Sequence, residues 1–255
     1  MRSKDHDKVA QFYDQVYYRD AHNQGPPSPH LKRLAQRLGI TTGEELLDVA
    51  CGAGNWLAAA AERGAIVSGI DISEKAVSVC QQRLPESELH VGPAETLPFA
   101  DNRFDFVTCL GSLEHFLDQP EALREMVRVA KPNATVLILV PNSGFLTYRL
   151  GLYKGTHQQA VHETIRSLDE WREMFEAAGL EVQDRWKDLH VLTKSWILRP
   201  PRHLVPLRLV QGLALTIWPL SWQYQVFHLC RIRQKRPQPR GGLPHSCFPR
   251  GGEKP

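Results

Sequence analysis

The sequence contains no Cys-x-x-Cys pair and no cysteine placed near histidine at zinc-site spacing, and its cysteine count is odd. The five cysteines (Cys51, Cys80, Cys109, Cys230 and Cys247) are scattered along the chain. This excludes a zinc module, so no metal site is expected. It also argues against a secreted disulfide framework, and a reducing, cytoplasmic setting is expected. No run reaches the ~18 uninterrupted apolar residues that a membrane span requires. The polar start MRSKDHDKVAQFYDQ lacks the apolar stretch of a signal peptide. Charge of one sign is also scarce, because the formal net charge is only +3. Much of it comes from the end of the chain, where seven basic residues from Arg231 to Lys254 face the single acid Glu253. Nucleic acid is therefore not expected as a partner.

The 255 residues are 42% hydrophobic and 23% charged, ordinary for one globular core. Between residues 40 and 140, short apolar runs alternate with helix-period segments. LLDV (46–49), AIVSGID (65–71), LHV (89–91), FDFVTCL (104–110) and TVLILV (135–140) read as strands buried on both faces. Ser73 precedes one helix, and Asp118 with Glu121 has capping-box spacing ahead of another. Ser167 with Glu170 repeats that signal, and Gly179 supplies a left-handed stop. LEVQDRW (180–186) and QYQVFHLCR (223–231) are two further strands. Strand alternating with helix implies a mostly parallel sheet with helices on both faces, an α/β Rossmann-like fold. Residues 1–234 are expected to form a single domain with an apolar insert at about 195–222. Residues 235–255, dense in Pro, Gly and Arg, are expected to be a disordered basic tail.

The most informative motif is LLDVACGAGNW, residues 46–56. A buried strand runs into small residues and then into a helix starting near Asn55. Gly52 and Gly54 permit a tight turn and let a ligand approach the backbone. Carboxyl ends of strands are where open α/β sheets bind ligands. A dinucleotide loop wants a third glycine, and here that position is Leu57. Instead Asp48 stands at the strand tip. A carboxylate there repels a pyrophosphate but suits a ligand with a positive amino group, such as S-adenosylmethionine. Asp71 closes the next strand and can accept both ribose hydroxyls, a feature common to nucleoside-binding sites.

LLDVACGAG, GIDIS, AETLPFADNRFDFVTCLGSLEH and REMVRVAKP together strongly resemble the class I methyltransferases, especially the broad group called type 11, over roughly residues 8–190. The resemblance implies S-adenosylmethionine as cofactor. It also implies a seven-stranded sheet whose last strand, 223–231, runs antiparallel between the fifth and sixth. Carried over position by position, it sets Asp48 toward the methionine amino group, with Ala50, Gly52 and Gly54 at the cofactor loop. Asp71 and Ile72 fall at the ribose, Ala94 and Glu95 at the adenine edge, and Leu110 and Gly111 near the methionine moiety. Tyr13 matches a residue that closes over the cofactor. Three positions depart from the pattern. Ala50 replaces a glycine and is tolerable if its φ stays negative. Pro93 replaces an aspartate, removing a side-chain contact to adenine. Asn133-Ala134 replaces a Gly-Gly turn that asparagine can still make by going left-handed.

Methyl transfer needs the acceptor aligned behind an electrophilic methyl group and water excluded. A base is required only if the acceptor loses a proton. His115, after the fourth strand, is the candidate base; the alternative is that it packs beneath the cofactor. Glu114 could orient the acceptor or be a solvated or capping acid. His157 and His162 read as surface residues and the cysteines as packing; Trp56, after the glycine loop, either packs the first helix or touches the methionine chain. An NAD(P)-dependent oxidoreductase and a non-catalytic cofactor-binding subunit are the rival readings. The acceptor itself is expected to be a small molecule or lipid-like. In the insert, Leu207, Leu209, Val210, Leu213, Ala214, Ile217 and Trp218 leave Arg208, Gln211, Gly212 and Thr216 as one narrow polar stripe on a helix opened by Pro206. Such a helix is expected to bury its apolar surface as extra core, over an apolar acceptor pocket, or on an anionic membrane surface. The three alternatives stay open at this point.

Overall fold

The computed structural model describes residues 3–19, 25–151 and 163–233. Seven strands form one sheet: β1 (Glu45–Val49), β2 (Ile66–Asp71), β3 (Glu88–Val91), β4 (Phe104–Leu110), β5 (Ala130–Pro141), β6 (Leu180–Lys187) and β7 (Gln225–Ile232). Their order is β3-β2-β1-β4-β5-β7-β6. Neighbours from β3 to β5 pair in parallel, while β7 runs antiparallel to both β5 and β6. This is the Rossmann-like methyltransferase sheet, with the late strand inserted where the resemblance puts it.

Nine α-helices are among the described residues: α1 (Lys4–Phe12), α2 (Pro29–Arg37), α3 (Asn55–Ala61), α4 (Glu74–Arg83), α5 (Gln119–Val129), α6 (Leu146–Arg149), α7 (Leu168–Ala177), α8 (Lys194–Ile197) and α9 (Val205–Ile217). The buried strands serve two cores, because successive side chains point to opposite faces. Leu47, Val136, Ile138 and Val140 pack with Leu123 and Met126 of α5 and with Trp171 and Phe175 of α7. Leu46, Leu137 and Leu139 turn the other way, onto Leu34 of α2, Leu57 of α3 and Cys80 of α4. Ser73 and Ser167 cap α4 and α7 as their sequence positions suggest, the latter in a complete capping box, and Gly179 adopts φ +94°.

Four local expectations need correcting. Ala50 has φ +64°, so it occupies the left-handed conformation normally left to glycine. Asn133 is not left-handed. It lies within β5, which begins at Ala130 and passes an irregular register between Phe104 and Phe106 of β4. The left-handed asparagine is Asn102, in the turn before β4. Asp118 accepts the Glu121 N–H, but its own N–H donates to Glu95 Oε1 rather than to Glu121. The box is thus opened by a stronger claim from the cavity wall. Finally, of the three alternatives left open for α9, burial of its apolar surface as extra core does not occur. Arg208 and Gly212 are its buried residues, while Leu213 is 66% and Ile217 82% exposed. The tail from residue 235, with His157 and His162, lies outside the described residues.

Candidate active site

The carboxyl ends of β1, β2 and β4 open onto a cavity of about 510 Å³, within the range of small-molecule sites. Tyr13, Asp48, Ala50, Gly52, Asp71, Ile72, Ala94, Glu95, Leu110, Gly111 and His115 all line it. Gly54 is the exception among the expected loop residues. It sits at the N-cap of α3 with φ +75°, and a side chain there would run into Cys80 of α4. Its role is to let α3 pack on α4, behind the cavity wall. Gly52 is the residue that needs closeness on the cavity side. An added Cβ would lie 2.6 Å from Tyr18 Oη.

Two carboxylates are buried at adjacent strand tips. Asp48 is 3% exposed, and its Oδ1 accepts the Thr108 hydroxyl at 2.6 Å. Thr108 Oγ1 in turn accepts the Trp56 indole N–H at 2.9 Å. Trp56 therefore does more than pack α3: through Thr108 it fixes where Asp48 points. Burial raises the Asp48 carboxyl to about 7; the Thr108 bond opposes this, and the nearby Asp71 charge adds to it. Asp71 accepts the Gly52 N–H at 2.8 Å and the Ser73 N–H at 2.9 Å. Burial raises it to about 6, against those backbone bonds. Each Asp71 oxygen keeps lone-pair capacity beyond its backbone donor. A buried anion of this kind is costly without a positive partner, and a ligand ammonium beside Asp48 would supply one. The residues present therefore fit S-adenosylmethionine better than a dinucleotide.

The amino-terminal segment forms the cavity's outer wall. α1 passes into a wider turn over Tyr13–Tyr17, and Tyr13, Tyr17 and Tyr18 stack edgewise or tilted on one another. Burial and the Asp71 charge push the Tyr13 and Tyr18 phenols upward, so both stay neutral. His6 Nε2 lies 3.3 Å from Glu95 Oε2, and Asp14 Oδ1 accepts the Ser73 hydroxyl at 2.5 Å. Tyr17, Tyr18 and His6 were not singled out from sequence. The density of aromatics in FYDQVYY was the available signal, but a run of tyrosines has no periodicity that aims it at a site.

Beyond Gly111 the chain makes a single 3-10 turn, Leu113–His115. His115 is 7% exposed and faces the cavity, with its backbone N–H bonded to the Ser112 carbonyl at 3.0 Å. Glu114 is neither solvated nor a helix cap. It is 2% exposed, and its Oε2 has no hydrogen-bond partner among the described residues. Burial raises it to about 8, with the Glu163 charge adding to the rise, so it is mostly protonated at neutral pH. Among the described residues, none of the cavity lining comes from the insert at 195–222.

Comparison with known proteins agrees with this geometry. The profile of a methyltransferase domain matches residues 47–138, which span the cavity loop and strands β1 to β5. Residues of this chain are 33% identical to the demethylmenaquinone methyltransferase of Bacillus cereus (strain B4264) over 179 positions, covering 59% of this chain and 75% of that protein. They are 29% identical to the ubiquinone biosynthesis O-methyltransferase of Coxiella burnetii (strain RSA 331 / Henzerling II) over 168 positions, 60% of this chain and 70% of that one. Among solved structures, the fold resembles Haemonchus contortus phosphoethanolamine N-methyltransferase 2 in complex with S-adenosyl-L-methionine. The TM-score is 0.62 at 18% identity, over 88% of this chain and 60% of that one. Fold, sequence relatives and site chemistry define an S-adenosylmethionine-dependent methyltransferase. More narrowly, the chain belongs to the class I family built on this type 11 methyltransferase domain.

Proposed function

We propose that the protein transfers the methyl group of S-adenosylmethionine to a small, apolar acceptor of the quinone or phenol class. The observation that carries this reading is the pair of buried strand-tip carboxylates, Asp48 and Asp71, facing one cavity. The names of the two sequence relatives support the acceptor class. In this reading Asp48 binds the methionine ammonium, held in position by Thr108 and Trp56. Asp71 accepts the ribose hydroxyls, and Ile72 flanks them. Ala94 and Glu95 border the adenine. Ala50, Gly52, Leu110 and Gly111 form the floor beneath the methionine moiety, and Tyr13, with Tyr17 and Tyr18, covers the cavity and excludes water. The bound cofactor supplies the electrophilic methyl group. His115 is proposed to take the acceptor's proton; Glu114, buried behind the cavity wall, is not among the residues that line it. Residues 1–234 are proposed to act as one unit.

Asp71→Ala tests the cofactor half of the proposal. Removing two charge-assisted bonds to ribose should weaken S-adenosylmethionine binding by about 2–4 kcal/mol, measured by calorimetric titration of the folded variant. Unchanged affinity would overturn the assignment. Incubating the protein with labelled cofactor and a cell lipid extract, then identifying the labelled product, tests the acceptor half. Label found only in water-soluble, polar products would overturn the apolar acceptor.

A further inference from the structure

An amphipathic helix normally turns its apolar side inward, and α9 does the opposite. Pro206, Leu209, Val210, Leu213 and Ile217 fall on one side of the helix at three- and four-residue spacing, and all are exposed. The middle of the polar stripe, Arg208 and Gly212, is held against the protein, while Gln211 and Thr216 at its edges are exposed. The Arg208 guanidinium is 6% exposed and donates to the carbonyls of Ile197 and Pro200, each at 3.3 Å, and to that of Arg199. At the other end, Lys187 Nζ donates to the Thr216 carbonyl at 2.7 Å and Gln223 Nε2 to the Leu215 carbonyl at 2.9 Å. Gly212 lies so close to Leu192 that a Cβ would meet its Cδ2 at 2.9 Å. Rotating the helix to bury its leucines would break all of these contacts. The outward apolar face is therefore built in.

Charge indicates what covers it. From residue 189 to residue 252 the sequence has no aspartate or glutamate. Lys194, Arg199 and Arg202 are exposed in the stretch that leads into α9, and none is ion-paired among the described residues. The nearest acid along the chain, Asp188, is buried against His30 and His190. Trp222 is 36% exposed at the end of the segment, as aromatic residues are at bilayer interfaces. Topology sets the location. β7 begins at Gln225, paired with Pro141 at the carboxyl end of β5, so the segment between β6 and β7 sits on the same edge of the sheet as the cavity. Gln225 Nε2 itself stands against Gly111 in the cavity wall.

We propose that the outer face of α9, together with the exposed cations Lys194, Arg199 and Arg202 of the same segment, docks on an anionic lipid bilayer and holds the cavity edge toward the membrane. A helix in this position lies in the interface, its apolar side in the acyl boundary and the cations among headgroups. This docking deepens the apolar-acceptor reading, but it is measured without turnover, so the two can fail separately.

The test is flotation of the full-length protein with phosphatidylcholine vesicles containing about one-third phosphatidylglycerol, against pure phosphatidylcholine. Binding to the anionic vesicles is expected at low salt. L213E and I217E, at exposed positions, should each lower it about tenfold or more. R199Q and R202Q should each lower it about fivefold. Calorimetric S-adenosylmethionine affinity should stay at the wild-type value in all four and serves as the folding control. Absence of flotation would overturn the proposal, as would undiminished flotation of both glutamate variants. Concentration-dependent self-association abolished by L213E, without vesicle binding, would assign the face to a second copy of the chain instead and would equally overturn it.

Discussion

The carboxyl of Asp48 makes cofactor binding depend on pH in a direction that can be worked out. Burial lifts it from 3.8 to about 7. A folded-state value raised above the unfolded one means that its favourable contribution to stability is complete below about pH 4. That contribution is lost as pH rises through about 7. At about 1.4 kcal/mol per pH unit, ionised Asp48 costs the ligand-free protein about 4 kcal/mol. A bound ammonium reverses this balance by favouring the carboxylate. Binding S-adenosylmethionine should therefore expel a proton, and affinity should fall about tenfold for each pH unit below about 7. Calorimetric titrations in buffers of different ionisation enthalpy, across about pH 5.5–8, read both affinity and proton release. Asp71, raised to about 6, adds a second dependence only below that pH. The slope between about 6 and 7 therefore belongs to Asp48. In Asp48→Asn, which can still accept the Thr108 hydroxyl, that slope should vanish and affinity should fall. The ligand-free variant should also melt higher than wild type at pH 8. A flat wild-type profile, or the same slope in Asp48→Asn, would refute both the buried-carboxyl argument and the ammonium contact.

Three other outcomes follow from single observations. Ala50→Gly should raise the melting temperature by removing about 1–2 kcal/mol of left-handed strain, offset in part by about 0.4–1 kcal/mol of unfolded-chain entropy; calorimetric melting that shows no gain would contradict the φ of +64° at this position. His115→Ala should lower kcat about a hundredfold with cofactor affinity unchanged. A loss of only a few-fold would leave His115 a packing residue. Shortening the chain to end at Gln234 should preserve the cooperative melt and cofactor affinity, and loss of either would show that residues 235–255 contribute to the fold.

The central strands were legible because burial on both faces writes itself as dense Val, Ile and Leu. The edge strands β3 and β6 are only partly buried, so LHV is not covered on both faces as expected, and β5 begins at Ala130, ahead of the expected residue 135. The cavity residues were legible for a different reason. A carboxylate at a strand tip beside small residues has few structural uses, so Asp48 and Asp71 stood out before any geometry was known. Local backbone state was less readable. Whether Ala50 or Asn133 goes left-handed depends on which turn the neighbouring strands force, and the sheet forced it at Ala50 and Asn102 instead. Glu114 was misread for a related reason: a short polar segment after a strand looks exposed, but β4 ends deep enough to pull it inside. The orientation of α9 is the sharpest case. Its sequence shows a narrow polar stripe and a broad apolar face, and periodicity alone says only that the two differ. The choice of inner side was made by distant partners, Lys187 on β6 and the carbonyls that follow α8, which bind the polar stripe and the helix's carboxyl end. A buried guanidinium such as that of Arg208 carries a large penalty if its hydrogen bonds are unmade, whereas exposed leucines lose stabilisation gradually with area. The helix therefore turns Arg208 and Gly212 in, and its apolar side is left for a surface outside the chain.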